Sequence, residues 1–260
     1  MKYLFLDSFA YISPCMLASA LYDMTKNKDR LERLCTIFEG ASVTAREEKR
    51  CGMEAEFLQL DYQVQSTHVK THDLMNLCEK LDTNEKTKEK LKEYITIDAE
   101  AISMDPSDAL FESKAAFDSL VFVAYIFETI SSLGVGTVYV PEVIVPSAEF
   151  SSPAMSQKVS NAIYIFKKHG ISPVSSHICA PSFSQGWAAM CVCLGISPKV
   201  SHTGSIIKIG YGAGEDNIDD VPNILRAVYG EEGEEDMLFE AEMALNPSFY
   251  FSKATVLSEA

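Results

Sequence analysis

Apolar residues recur along this chain with two periods. Short continuous or alternating runs predict strands, and apolar positions three or four apart predict helices. Lys2–Leu6 is a short apolar run ending at Asp7 and predicts a buried strand. Ile12–Met24 and Leu31–Phe38 carry helical spacing. Val43–Val64 alternates, most clearly over Glu54–Leu60, and predicts a hairpin. Asp73–Leu81 and Asn84–Ile97 predict two further helices, the second with a charged, solvated face.

Asp105 followed by Pro106 reads as a helix start. Phe117–Leu133 is the most apolar long stretch and lacks a polar face, which predicts a buried central helix ended by Gly134. Thr137–Val145 predicts a strand, with Pro141 marking an edge, a bulge or an end. Ser147–Pro153 reads as a loop, Ser156–Lys168 as a helix stopped by Gly170, and Ser184–Leu194 as another helix. Ser205–Tyr211 and Val221–Tyr229 predict strands flanking a Gly-rich turn. Glu231–Asp236 reads as an acidic linker before a short helix and strand. Helices and strands alternate, so the fold class is α/β or mixed α+β.

Composition narrows the partners. The 260 residues carry a net charge of -15. Lys and Arg are scattered or paired with acids, as in Lys86–Lys92, which argues against nucleic acid and against an anionic membrane surface. No apolar run of about 18 residues is evident, so no membrane span is expected. Acidity favours a cationic ligand such as a metal ion. Seven dispersed cysteines and no leader-like segment after Met1 suit a reducing cytoplasm.

Individual motifs are weak. Gly210, Gly212 and Gly214 match a dinucleotide fingerprint only in part, and the acidic residues that follow do not suit a phosphate. A tight connection needing positive φ explains them, as does close approach of a ligand or a partner. His68 and His72 are spaced i, i+4 and would share a helix face, but a zinc-type site needs further ligands. Cys15 precedes a helix that could lower its pKa, although a small apolar residue in a packed turn is the commoner account. Cys191 and Cys193 point to different faces of a helix and suit a core. No nucleophile elbow occurs.

Four stretches in order resemble the LarC nickel insertion proteins. Tyr3–Met24 resembles the family's opening strand, turn and helix, with Asp7, Phe9, Ile12, Ser13 and Met16 in matching places. Phe117–Val135 resembles its Val-Asp-Ser segment and apolar helix, with Asp118 and Ser119 as the matching pair. Ile209–Gly214 is identical to its Ile-Gly-Tyr-Gly-Ala-Gly, and Pro222–Arg226 resembles its Pro-Asn-Val-Leu-Arg. One motif departs. Where the family has His-Phe-His-Glu-Val-Gly, this chain reads Leu110-Phe111-Glu112-Ser113-Lys114-Ala115.

The resemblance implies a single domain over residues 1–230 with a mixed sheet and flanking helices, followed by an acidic linker and tail over 231–260. It implies insertion of Ni(II) into a pyridinium-3,5-bisthiocarboxylate mononucleotide, the precursor of the nickel-pincer cofactor of lactate racemase-like enzymes. CTP with a divalent metal would assist. A separate C-terminal LarC-type subunit would complete the protein, and an oligomer is expected. Asp7, Asp118 and Ser119 are the expected catalytic residues. Gly210, Gly212, Gly214, Asn223 and Arg226 would bind ligand or partner, and Glu112, His68 and His72 would meet metal. The lost imidazoles favour an alternative, a non-catalytic paralogue that binds without turnover.

Overall fold

The computed structural model describes residues 1–8, 11–103, 105–146, 153–176, 184–198, 204–218 and 221–233. Phe9, the loop at 147–152, His177, Cys179, His202 and the tail after 233 lie outside the described residues. The chain opens with strand β1 (Lys2–Ser8), helix α1 (Pro14–Thr25) and helix α2 (Lys28–Cys35). Strands β2 (Ser42–Arg50) and β3 (Met53–Asp61) form the predicted hairpin. Its turn puts Cys51 and Gly52 at φ 48° and 85°, the positive pair that a two-residue hairpin turn needs.

Strand β4 (His68–Lys70), helix α3 (Thr71–Lys80) and helix α4 (Glu85–Ile102) follow. Asn84 caps α4 by accepting from the Thr87 amide at 3.0 Å. The start predicted at Pro106 yields only a single 3-10 turn, Pro106–Asp108. Strand β5 (Leu110–Glu112) leads into helix α5 (Ser113–Leu133). This helix starts four residues before the predicted Phe117 because the Glu112 carboxylate accepts from the Lys114 and Ala115 amides. By length and composition α5 could cross a membrane, which corrects the expectation that no such run exists. Here Leu120–Thr129 is buried, packed against α1, α2 and α4.

The stretch from Thr137 to Val145 is two strands, β6 (Thr137–Val140) and β7 (Ile144–Pro146). They separate at Pro141, which has no amide to donate, and join different sheets. Helix α6 (Pro153–Lys168), strand β8 (Val174–Ser176), helix α7 (Gly186–Leu194) and the short strand β9 (Ser197–Pro198) precede β10 (Ser205–Ala213) and β11 (Ile224–Glu231).

The main sheet has the order β2-β3-β10-β11-β1-β6-β9. Strands β3, β10, β1, β6 and β9 run parallel, while β11 and β2 run against them. Helix α1 crosses one face, and Met16, Leu17, Ala18, Ala20 and Leu21 on it are fully buried. Burying each large apolar side chain contributes roughly 1.5–3 kcal/mol. On the opposite face Tyr3, Phe5, Tyr139 and Val228 form a separate apolar cluster.

The Gly-rich segment is not a turn. Gly210 and Gly212 lie inside β10, and neither has a positive φ. They sit two apart on one strand face, under the Met16, Ala20 and Met24 stripe of α1. A Cβ at Gly212 would collide with the Met16 carbonyl oxygen and come within 2.6 Å of the Ala20 amide nitrogen. One at Gly210 would collide with the Ala20 carbonyl and lie 3.0 Å from the Met24 nitrogen. Gly214 ends the segment packed on the Asn223 side chain, and its amide donates to the Asn223 carbonyl at 2.8 Å.

Candidate functional site

A cleft of about 740 Å³ opens beyond the C-terminal ends of β3 and β10 and beside the start of α1. Open α/β sheets commonly bind ligands at that edge. The starts of α1 (Ser13 to Cys15), α5 (Glu112 to Ala115) and α7 (Ser184 and Gln185) all line it. Helix starts carry partial positive charge and favour anions. Arg46, Arg50, Lys114 and Lys158 line the same cleft, as do the carboxylates of Asp61, Asp98, Glu112, Asp118 and Glu215.

The basic groups are held in place from the hairpin and from α5. Arg46 lies over the Phe57 ring at 4.9 Å and donates to Gln59 at 2.8 Å. Arg50 is buried and donates to the Gly214 carbonyl at 3.1 Å and to Glu48 at 3.0 Å, while its Nε has no partner among the described residues. Lys158 makes no ion pair among the described residues.

Asp118 and Ser119, expected as catalytic residues, both line the cleft. Asp118 accepts from Lys114 Nζ at 2.6 Å on each oxygen and from the Tyr62 hydroxyl at 2.8 Å. The same ammonium donates to the Leu60 carbonyl and stands 4.5 Å from the centre of the Tyr62 ring. Burial raises the Asp118 pKa, and Lys114 and Tyr62 oppose the rise. Replacing Lys114 with Met should therefore raise it further, as a carboxylate titration followed by NMR would show. Ser119 lies near the buried Tyr94 hydroxyl.

The other expected site residues are placed elsewhere. Asp7 pairs in register with Arg226 across β1 and β11 and forms an ion pair with it. Neither lines the cleft. Asn223 is fully buried and donates to the Asp216 carbonyl at 3.0 Å, pinning the loop between β10 and β11. Gly210 and Gly212 receive helix α1 rather than open space, so the expected approach to their backbone is made by the fold itself. His68 is extended and His72 helical, which corrects the shared helix face. His68 stands opposite Glu112 in register, but His72 is exposed beside Asp73 at 3.6 Å. Both Glu112 oxygens cap α5. Among the described residues no group of three or more His, Cys, Asp and Glu could hold a metal ion.

Burial pushes the Cys15 thiol up to about 12, and it donates to the Leu58 carbonyl, so it is no ready nucleophile. Cys191 and Cys193 are both buried. The residues that sequence motifs missed are Asp98, Asn161 and Gln185, three buried or half-buried polar groups on three helices that line the cleft. No short motif joins them.

A mixed sheet with a charged cleft at its strand ends defines an α/β protein whose cleft has the size and polarity to suit a small polar molecule. The particular kind follows from comparison: the model for nickel insertion proteins, the LarC family, matches residues 4–246, and the chain belongs to that family. No curated protein and no solved structure matches it. Nickel insertion in general is thus the family role, and nickel is the metal involved.

Proposed function

We propose that the cleft holds the pyridinium bisthiocarboxylate mononucleotide and that the protein helps insert Ni(II) into it. The observation that carries this reading is the meeting of Arg46, Arg50, Lys114 and Lys158 in one cleft of about 740 Å³, beside the start of α7, where the Gln185 side chain caps no amide. The substrate is anionic at its phosphate and its two thiocarboxylates, and guanidinium and ammonium groups are the side chains that recognise such anions. Nickel is here a substrate. The pincer supplies sulfur and carbon donors, so a protein cage of several ligands is not required. In this reading the reaction takes place in the cytoplasm, uses CTP with a divalent metal, and involves a separate C-terminal LarC-type subunit in an oligomer.

The test combines the pincer precursor, Ni(II) and the protein, with and without CTP and a C-terminal-type subunit. Nickel insertion is followed by mass spectrometry. The expected product is the nickelated mononucleotide, with yield reduced at least tenfold by Arg50→Ala. A second reading, a binding protein without turnover, is favoured by the Lys114 ammonium seated on both oxygens of Asp118. Tight binding of the precursor with no nickel transfer under every combination would select it.

A further inference from the structure

One wall of the cleft carries a directed chain of hydrogen bonds that charge recognition does not use. Gln157 Nε2 on α6 donates to Asn161 Oδ1 at 3.0 Å. Asn161 Nδ2 donates to Gln185 Oε1 at 2.7 Å. Gln185 Nε2 donates to Asp98 Oδ1 on α4 at 2.7 Å. All four side chains line the cleft. An amide has one acceptor oxygen and one donor nitrogen. Each link therefore fixes the next, and the chain ends on an acceptor.

Asp98 is only 8% exposed and has no ion pair among the described residues. Its Oδ2 receives no donor among them, and Oδ1 keeps a second lone pair. A buried carboxylate without a cation is costly, and an amide oxygen would accept from Gln185 as well. What the carboxylate adds is strong acceptor capacity aimed into the cleft. The polar groups beside it, Tyr94 and Ser119, are hydroxyls, and neither donates to Asp98 among the described residues. A ligand group that suits this wall offers two adjacent O–H donors, and a sugar diol does so.

We infer that Asp98, oriented by Gln185 and Asn161, binds the vicinal ribose hydroxyls of the mononucleotide and selects a ribonucleotide over a deoxygenated one. This inference rests on the proposed mononucleotide reading and adds the group that reads the sugar. The cationic side chains then serve the anionic groups, and the Asp98 wall serves the diol. Asp98 is a specificity residue, and Gln185 and Asn161 are positioning residues.

The full chain is titrated calorimetrically with nicotinate mononucleotide, a pyridinium ribonucleotide, and with its 2′,3′-dideoxy analogue. The wild type should prefer the ribonucleotide by about tenfold or more, since a hydrogen bond to a charged acceptor is at stake. Asp98→Asn should bring the two affinities to near parity. Its amide oxygen would face Gln185, leaving an N–H donor where the hydroxyls need an acceptor. Equal binding of both probes by the wild type overturns the diol assignment alone, as does discrimination that persists in Asp98→Asn. Failure of the wild type to bind either probe overturns the mononucleotide reading and the diol assignment with it.

Discussion

Gly212→Ala should lower the thermal unfolding midpoint by roughly 6–12 °C, the equivalent of about 3 kcal/mol in a chain of this size. The new methyl group meets the Met16 carbonyl and the Ala20 amide, both backbone atoms of a buried helix. A flexible side chain could turn aside, but the backbone of α1 can move only by lifting off β10. That movement would loosen the fully buried Met16, Leu17 and Leu21. Gly40→Ala is the matched control. Gly40 has φ 68° and nothing within 4 Å of an added Cβ, so its cost is backbone strain of about 1–2 kcal/mol. Scanning calorimetry of the two variants ranks them. If Gly212→Ala melted like the wild type but lost ligand affinity, the glycine would serve the ligand and not the helix.

Asp98→Asn should stabilise the fold at neutral pH by up to about 3 kcal/mol. Burial pushes the Asp98 carboxyl from 3.8 up to about 6, and the Gln185 hydrogen bond only partly offsets this. The folded state thus holds a proton that the unfolded chain has released, and folding takes up that proton between these two values. Asp98 costs nothing below about pH 4, and stability is lost as the pH rises through 6. The gain from the amide should therefore be near zero at pH 4 and complete by pH 7. Urea melts of both proteins across this range isolate the effect, because every other group titrates in both. A pH-independent difference would mean that Asp98 is not the group responsible. A stabilising substitution at a buried acid is the mark of a residue retained for binding.

Much of the fold is legible from local pattern. The β2–β3 hairpin, the buried α5 and the existence of strands near Ser205–Tyr211 and Val221–Tyr229 follow from alternation and helical spacing. The α5 start is misplaced by propensity, because the cap that sets it is the Glu112 carboxylate. That shift matters for the site. Once α5 begins at Ser113, Lys114 and Asp118 stand i, i+4 on one helix face, and their ion pair can be read from the sequence. The Thr137–Val145 stretch divides because Pro141 cannot donate to a ladder.

The family, the α/β class and the adjacent pair Asp118 and Ser119 are legible in the sequence. These depend on short-range spacing and on motifs that survive as contiguous residues. Three-dimensional packing alone shows that Gly210 and Gly212 seat α1, that Asp7 pairs with Arg226 outside the cleft, and that Asp98 ends a chain of amides from α6 and the N-cap of α7. The reason is separation along the chain. Ala20 and Gly212, Asp7 and Arg226, and Asp98 and Gln185 each meet only through packing of distant elements. No local periodicity records which strand face a helix will cover or which carboxylate an amide will reach.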